Sequence, residues 1–286
     1  MTPLNFTLKI KPQFSLDVSE LTPDKLAIKN KSQIKNIKMN YGKKKVPVTD
    51  LFSITGNDSE NIQIHGSSDK LICVGQGISH GSIEVKGNVG DLLGQHMKGG
   101  HIKVNGNTGS WAANGMSGGR IDITGNVEHH LGAGKPGDAY GMTEGFINIK
   151  GSAGDRVGDR MRRGIITIHG KAGDYCGSRM HAGTILVLEK AGRNVGTGMR
   201  RGTIILAKKP KHIVATFKSN GNLKMQFLRL LFTQFVAMGK EFSKFKNFDP
   251  EVHRFSGDLA RNGKGEILIL QSLNLRKYSH EKNTWE

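Results

Sequence analysis

One phrase keeps returning in this chain, and its interval limits what the chain can fold into. Gly81, Gly100, Gly119, Gly145, Gly164, Gly183 and Gly202 each open a unit, at spacings of 19, 19, 26, 19, 19 and 19 residues. One unit therefore carries a seven-residue insertion. Fixed-period self-similarity is the signature of a stacked repeat architecture. Two positions after the opening glycine stand Ile83, Ile102, Ile121, Ile147, Ile166, Ile185 and Ile204, and two further on stand Val85, Val104, Ile123, Ile149, Ile168, Val187 and Leu206. That alternation places both columns on one face of a short strand. Later columns are also apolar or small: Val89, Thr108, Val127, Ala153, Ala172, Ala191; then Leu93, Ala112, Leu131, Val157, Cys176, Val195; then Met97, Met116, Met142, Met161, Met180, Met199.

Glycine at three points of every unit would destabilise a helix by about 1 kcal/mol each, whereas it suits corners that bend at the same place in every layer. The pattern predicts an all-β fold, a right-handed single-stranded parallel β-helix with about eight coils. At the strand spacing these make a rod roughly 35 to 40 Å long. The first coil is degraded: Ile62, Ile64 and Gly66 match the strand, and Gly75 and Ile78 match later columns after a two-residue insertion.

Three parts are expected. Residues 1–59 read as a small β-rich N-terminal cap, with Phe6, Leu8 and Ile10 alternating, Leu26 and Ile28 alternating beyond a Thr-Pro-Asp turn, and Ile34, Ile37 and Met39 leading to Tyr41-Gly42. Residues 60–207 are the β-helix. Residues 208–286 form a C-terminal extension with an amphipathic helix over 223–238, on which Leu223, Phe227, Leu230, Leu231, Phe235 and Met238 follow helical spacing, Asn220 or Asn222 caps the start and Gly239 suits the end. A Phe242, Phe245, Phe248 series, a turn at Asn262-Gly263 and a strand from Glu266 to Leu270 follow. Outward strand positions of the late coils (Phe146, Ile165, Leu186, Leu188 and Ile205) are apolar, so that face needs a cover from this helix or from another protein.

The 42 Lys and Arg against 24 acids, a net charge of +18, call for an anionic partner. Two cysteines, Cys73 and Cys176, make no disulfide framework and point to a reducing, cytoplasmic setting. The N-terminus lacks a signal-like apolar core and no run of about 18 apolar residues occurs, so no membrane is expected. H-E-x-x-H, Cys-x-x-Cys, G-x-S-x-G and a Walker loop are missing, and the histidines show no metal-ligand spacing, so neither a catalytic nor a metal site is predicted. A polysaccharide-cleaving β-helix would stack acids in adjacent coils; Asp91, Asp155 and Asp174 do share a column, but at a tight turn where carboxylates accept backbone N–H groups. The insertion from Gly132 to Met142, preceded by His129-His130, is either a contact loop or a surface excursion.

The basic residues are better placed. Lys98, Arg160, Arg162, Arg163, Arg179, His181, Arg200 and Arg201 flank the methionine column, so stacking turns them into a stripe that suits an extended polycarboxylate. Nucleic acid is disfavoured because no aromatic platform is interleaved with them.

At Gly154-Asp155-Arg156-Val157-Gly158-Asp159-Arg160-Met161-Arg162-Arg163-Gly164, with related phrases at Gly173 to Met180 and Gly192 to Gly202, the chain resembles the GXGXG β-helix family. That family includes the glutamate synthase C-terminal domain and the C subunit of formylmethanofuran dehydrogenase. The insertion before Met142 and the closing phrases Gly257-Asp258-Leu259-Ala260 and Gly263-Lys264-Gly265-Glu266-Ile267-Leu268 are similar to the bacterial version, the C subunit of the formyltransferase/hydrolase complex of one-carbon oxidation. Two positions depart from the family pattern: Glu128 and Glu189 stand where glycine is usual. The resemblance implies a non-catalytic subunit, with hydrolysis and formyl transfer in partner subunits. It also implies a methanofuran- or methylofuran-type coenzyme as ligand, whose anionic glutamyl tail the stripe would hold. A tungsten or molybdenum formylmethanofuran dehydrogenase, or a stripe that docks a partner protein, are the alternatives.

Overall fold

From Gly119 onward the opening glycine of a repeat and the methionine of the layer before fit one another. Met97, Met116, Met142, Met161, Met180 and Met199 are all fully buried. The methyl end of each lies where the Cβ of a following unit's glycine would be: a Cβ on Gly119, Gly145, Gly164 or Gly202 would sit 2.6 Å from the Cε of Met97, Met116, Met142 or Met180. These glycines also hold φ near +85° to +105°, a region that side-chain-bearing residues avoid. The recurrence is thus a knob and its socket, repeated layer on layer.

The computed structural model describes residues 2–271. The remainder of the expected C-terminal extension, residues 272–286, lies outside the described residues, as does Met1. The chain is mostly β, with a 13-stranded sheet and a separate 4-stranded sheet. Strands Ser82–Lys86, His101–Val104, Ser117–Ile123, Glu144–Ile149, Ile165–Ile168, Thr184–Val187 and Thr203–Leu206 pair in parallel. Their register joins Ile83, Ile102, Ile121, Ile147, Ile166, Ile185 and Ile204 in one continuous row. A second parallel rung runs through Val89, Thr108, Val127, Ala153, Ala172 and Ala191. Inter-layer hydrogen bonding persists at the two glutamates beside this rung, Glu128 N–H donating to Thr108 O at 3.1 Å and Glu189 N–H to Gly170 O at 3.3 Å. Between the rungs lie buried isoleucine, valine, leucine and methionine side chains, each contributing about 1.5–3 kcal/mol by leaving water.

The stack is longer than the repeat. At its start Pro3–Leu8 pairs in parallel with Asp58–His65, Leu4 opposite Ile62 and Phe6 opposite Ile64. At its other end Gly265–Leu270 pairs in parallel with Thr203–Leu206, and a Cβ on Gly265 would meet the Met199 Cε at 2.4 Å. The chain leaves the stack after Leu206 and returns to add another layer. Antiparallel strands then close each end, Phe52–Thr55 on the first and Glu251–Gly257 with Lys218–Lys224 on the last.

Several local expectations are corrected. Leu26 and Ile28 do not alternate in a strand. Thr22 in extended geometry, Pro23 at the first turn and Asp24 start the helix Pro23–Leu26, which leaves Ile28 exposed. Ile34 sits in the helix Lys31–Lys35, where Asn30 and Gln33 form a reciprocal cap. The expected helix over 223–238 is Phe227–Met238; Asn220, Asn222 and Leu223 lie in the strand Lys218–Lys224, and Gln226 precedes the helix. Its buried face is Leu228, Phe232 and Phe235, with Phe227, Leu230 and Met238 exposed. Apolar residues on both sides of the helix made two faces compatible with the spacing. That helix and the 3-10 segment Lys240–Phe245 cover Phe146, Leu186, Leu188 and Ile205, so this chain supplies the cover itself.

Candidate functional site: a basic edge and its loop

The basic edge is built by backbone hydrogen bonds before any side chain is considered. Arg162 N–H donates to Met142 O, His181 N–H to Met161 O and Arg200 N–H to Met180 O, each at 2.8 Å, so the three residues lie directly above one another. Arg163 and Arg201 occupy the adjoining column, with Ala182 between them. Lys264 N–H reaches Arg200 O and, with Gly265 in the socket position after Arg201, adds a further cation to that column. Arg162, Arg163, Arg200, Arg201 and Lys264 are exposed and make no ion pair among the described residues.

Lys98 is not part of this cluster. Ser117 and Thr143 follow it in the column before Arg162, a separation of three layers or roughly 14 Å. Arg160 and Arg179 stand on the same edge, but their charge is engaged. The Arg160 guanidinium donates to Asp138 O at 2.7 Å, Gly134 O at 2.7 Å and Lys135 O at 2.8 Å, so it holds the insertion loop in place. Arg179 grips Asp159 through two hydrogen bonds, Nε to Oδ1 at 2.9 Å and Nη2 to Oδ2. Asp159 is buried and also accepts from Ser178 Oγ at 2.9 Å. A buried carboxylate without its partner is strongly unfavourable, which ties Arg179 to a structural task.

The loop held by Arg160 returns a side chain to the edge. Tyr140 lies under the Arg162 guanidinium, 5.0 Å from ring centroid to Cζ, and meets the His181 ring edge-on at 5.0 Å. Burial, and then the charges of Arg200 and Arg162, lower the His181 pKa and so disfavour the charged ring. The edge therefore offers guanidinium and ammonium groups around an imidazole and a phenol. Guanidinium and ammonium groups beside aromatic rings are chemically suited to an extended anion, through charge-assisted hydrogen bonds at the cations.

Sequence reasoning missed Lys264 and Tyr140. The signal for Lys264 was available, because Lys264-Gly265-Glu266-Ile267 repeats the Arg201-Gly202-Thr203-Ile204 pattern. It also missed a column of left-handed residues, Leu92, Trp111, His130, Arg156, Tyr175 and Asn194, all with φ near +60°. In it the Trp111 and His130 rings stack at 4.0 Å, and Arg156 lies 4.8 Å from the Tyr175 centroid.

Among the described residues, no group of three or more His, Cys, Asp or Glu side chains could hold a metal ion, and no helix is long and apolar enough to cross a membrane.

Residues 54–231 match the GXGXG motif family, and the chain belongs to that family. Over 99 residues it is 35% identical to the C subunit of the tungsten-containing formylmethanofuran dehydrogenase 2 of Methanothermobacter marburgensis, a match covering 33% of this chain and 37% of that protein. Over 80 residues it is 31% identical to the C subunit of the molybdenum-containing formylmethanofuran dehydrogenase 1 of Methanosarcina barkeri, covering 26% and 27%. The matches thus span well under half the length of these curated relatives. Far more extensive is the likeness to a chain of the formyltransferase/hydrolase complex (FhcABCD) from Methylorubrum extorquens, whose crystal structure was determined in complex with methylofuran. There the TM-score is 0.86 at 32% identity, over 93% of this chain and 99% of that one.

Proposed function

We propose that this chain is the non-catalytic C subunit of a formyltransferase/hydrolase complex, a cytoplasmic assembly. In it the formyl group passes from formyl-tetrahydromethanopterin to a methanofuran-type coenzyme and leaves as formate. The observation that carries this reading is the near end-to-end likeness to a chain of a complex solved with methylofuran. The stacked layers are on this reading the coils of a right-handed β-helix of about eight turns, between an N-terminal cap and a C-terminal extension. Partner subunits perform the chemistry, and this chain presents an ordered cationic edge to the anionic glutamyl tail. Arg162, Arg163, Arg200 and Arg201, with Lys264, His181 and Tyr140, line the path. Arg160 and Arg179 support it from beneath, and Lys98 is a separate contact further along.

The test is the Arg162→Ser/Arg200→Ser/Arg201→Ser variant in the assembled complex. Its apparent KM for the coenzyme should rise by about tenfold or more, most for long-tailed forms, and the effect should shrink in high salt. Intact assembly on a sizing column with an unchanged KM refutes tail binding. Dissociation without a selective KM change instead assigns the edge to a partner protein of the complex. The curated relatives favour a second reading, a tungsten or molybdenum dehydrogenase. Metal analysis of the purified native complex separates the two.

A further inference from the structure

The C-terminal helix Phe227–Met238 is apolar over most of its circumference, with only Arg229, Thr233 and Gln234 polar. A helix of that kind is stable where it is buried on more than one side. Leu228, Phe232 and Phe235 point into the cover of the sheet, and Leu231 and Val236 lie half-buried at its margin. Phe227, Leu230 and Met238 face outward instead; Phe227 is 41% exposed and Leu230 72%. Their spacing of three and eleven residues from Phe227 keeps them on one side of the helix, in a stripe along its length of roughly 18 Å. Folding within the chain thus uses one apolar face of the helix and leaves the other, the one that carries the helical spacing in the sequence, without a cover among the described residues.

The charges beside the stripe have one sign. A groove of about 370 Å3 runs along the polar side of the helix, where Arg229, Thr233, Lys246 and Asn247 are among its lining. Arg229 and Lys246 are exposed, as is Lys240 just past the helix end, and none of the three makes an ion pair among the described residues. The acids nearby are already engaged: Asp249 lies 3.6 Å from Lys224, and Glu241 accepts from Asn148 Nδ2 at 3.1 Å. A second copy of this chain, meeting the first through the same patch, would bring these cations against their own equivalents. Like charges brought together in that way disfavour a partner. A surface edged with carboxylates complements them.

We infer that the stripe of Phe227, Leu230 and Met238 is the docking face for a partner subunit, one that presents apolar side chains edged by carboxylates placed to meet Arg229 and Lys246. The inference rests on the reading of this chain as one subunit of several, and adds which of its surfaces another subunit covers. An apolar centre within a charged, solvated rim is the usual anatomy of a protein interface, and a few large side chains near its centre carry most of the affinity. The helix is suited to present them, because its other face is fixed in the core beneath and loses little freedom on docking.

Thiol labelling provides the test. The native Cys73 and Cys176 are buried, and burial pushes their thiols up to about 11 and about 12, so neither competes for maleimide at pH 7. The Leu230→Cys variant should label fast as the isolated full-length chain and about tenfold or more slowly in the complex purified from the native host. Leu230→Glu, and separately Arg229→Glu/Lys246→Glu, should each reduce the share of the chain recovered in the complex by about tenfold or more. The Tm of each isolated variant should stay within about two degrees of wild type, because all three positions are exposed. Equal labelling rates in the two states overturn the inference and leave the subunit reading standing, whereas a chain that purifies from its host without partner subunits overturns both. Protection in the isolated chain that rises with its concentration assigns the face to a second copy. Binding of the isolated chain to phosphatidylglycerol vesicles that is abolished by Leu230→Glu assigns it to a membrane, and either result also overturns the inference.

Discussion

Acid should loosen the C-terminal cover of this protein through one histidine. His169 is held in a polar network under the 3-10 segment Lys240–Phe245: its Nε2 lies 3.1 Å from Asn148 Oδ1, which also accepts from Thr167 Oγ1 at 2.9 Å. Asn148 Nδ2 in turn donates to Glu241 Oε1 at 3.1 Å, and the His169 ring packs 5.1 Å from Phe242. Burial, with Lys244 nearby, pushes His169 down to about 4. Its ordinary value is about 6.5. The unfolded chain therefore takes up this proton at higher pH than the folded one. The stability that the neutral ring contributes is present above pH 6.5 and is lost as pH falls towards 4. Linkage over that gap gives at most about 3 kcal/mol, of which about 2 kcal/mol is lost between pH 7 and pH 5. Urea midpoints of the wild-type chain and His169→Gln at pH 7, 6 and 5 measure it, because glutamine keeps an N–H donor for Asn148 and cannot titrate. All other ionisable groups are common to the two proteins, so their contributions cancel in the comparison. Parallel pH profiles for the two would refute the assignment.

The remaining predictions concern the knob-and-socket repeat and the loop. Met161→Ala should lower stability by about 2–5 kcal/mol, read as a fall in urea midpoint, because its methyl end fills the Gly183 socket. Gly183→Ala should destabilise as well, since its Cβ would lie 2.8 Å from Met161 Cε at a φ of +99°, and the two changes should be non-additive in a double-mutant cycle. Arg160→Ala should free the insertion loop and speed chymotryptic cleavage after Tyr140 by about tenfold or more, while an unchanged rate would show that the three carbonyl contacts do not hold it.

The repeat was legible because stacking forces neighbouring layers to solve the same problem, and a column such as Ile83 to Ile204 then writes its own register into the sequence. The place of the end layers in the stack was harder to read, since Pro3–Leu8 and Gly265–Leu270 join it across long intervening segments that break the 19-residue interval, even though the phrase at Gly265 repeats that at Gly202. Spacing also placed Arg160 and Arg179 on the same edge as Arg162 and Arg200 without revealing that loop carbonyls and a buried Asp159 already engage them. Position along a column is a property of the backbone; whether a charge is available depends on partners from other columns. The short helices near residues 23–35 were hidden for a related reason, because capping by Pro23, Asn30 and Gln33 outweighed the weak alternation of a few apolar residues.

The two halves of the stack differ in a way that bears on the basic edge. Along the outward strand column the chain places Glu84, Lys103 and Asp122, then Asn148 and Thr167, then Leu186, Ile205 and Leu268. Its charged half is self-paired, Lys103 to Glu84 at 2.9 Å and His101 to Asp122 at 2.7 Å. Burial would raise the Asp122 carboxyl, but hydrogen bonds from His101, Arg120 and Asn148 outweigh it and hold the group well below the usual carboxylate range. Its apolar half is sealed by the C-terminal helix and the phenylalanines that follow. Arg162, His181, Arg200 and Lys264 belong to the sealed half. The cations available to an anion are thus mounted on layers packed on both faces, at a pitch of roughly 4.8 Å set by the backbone. An extended polyanion meeting that edge has little protein motion to arrest, so most of the entropy lost on binding is its own.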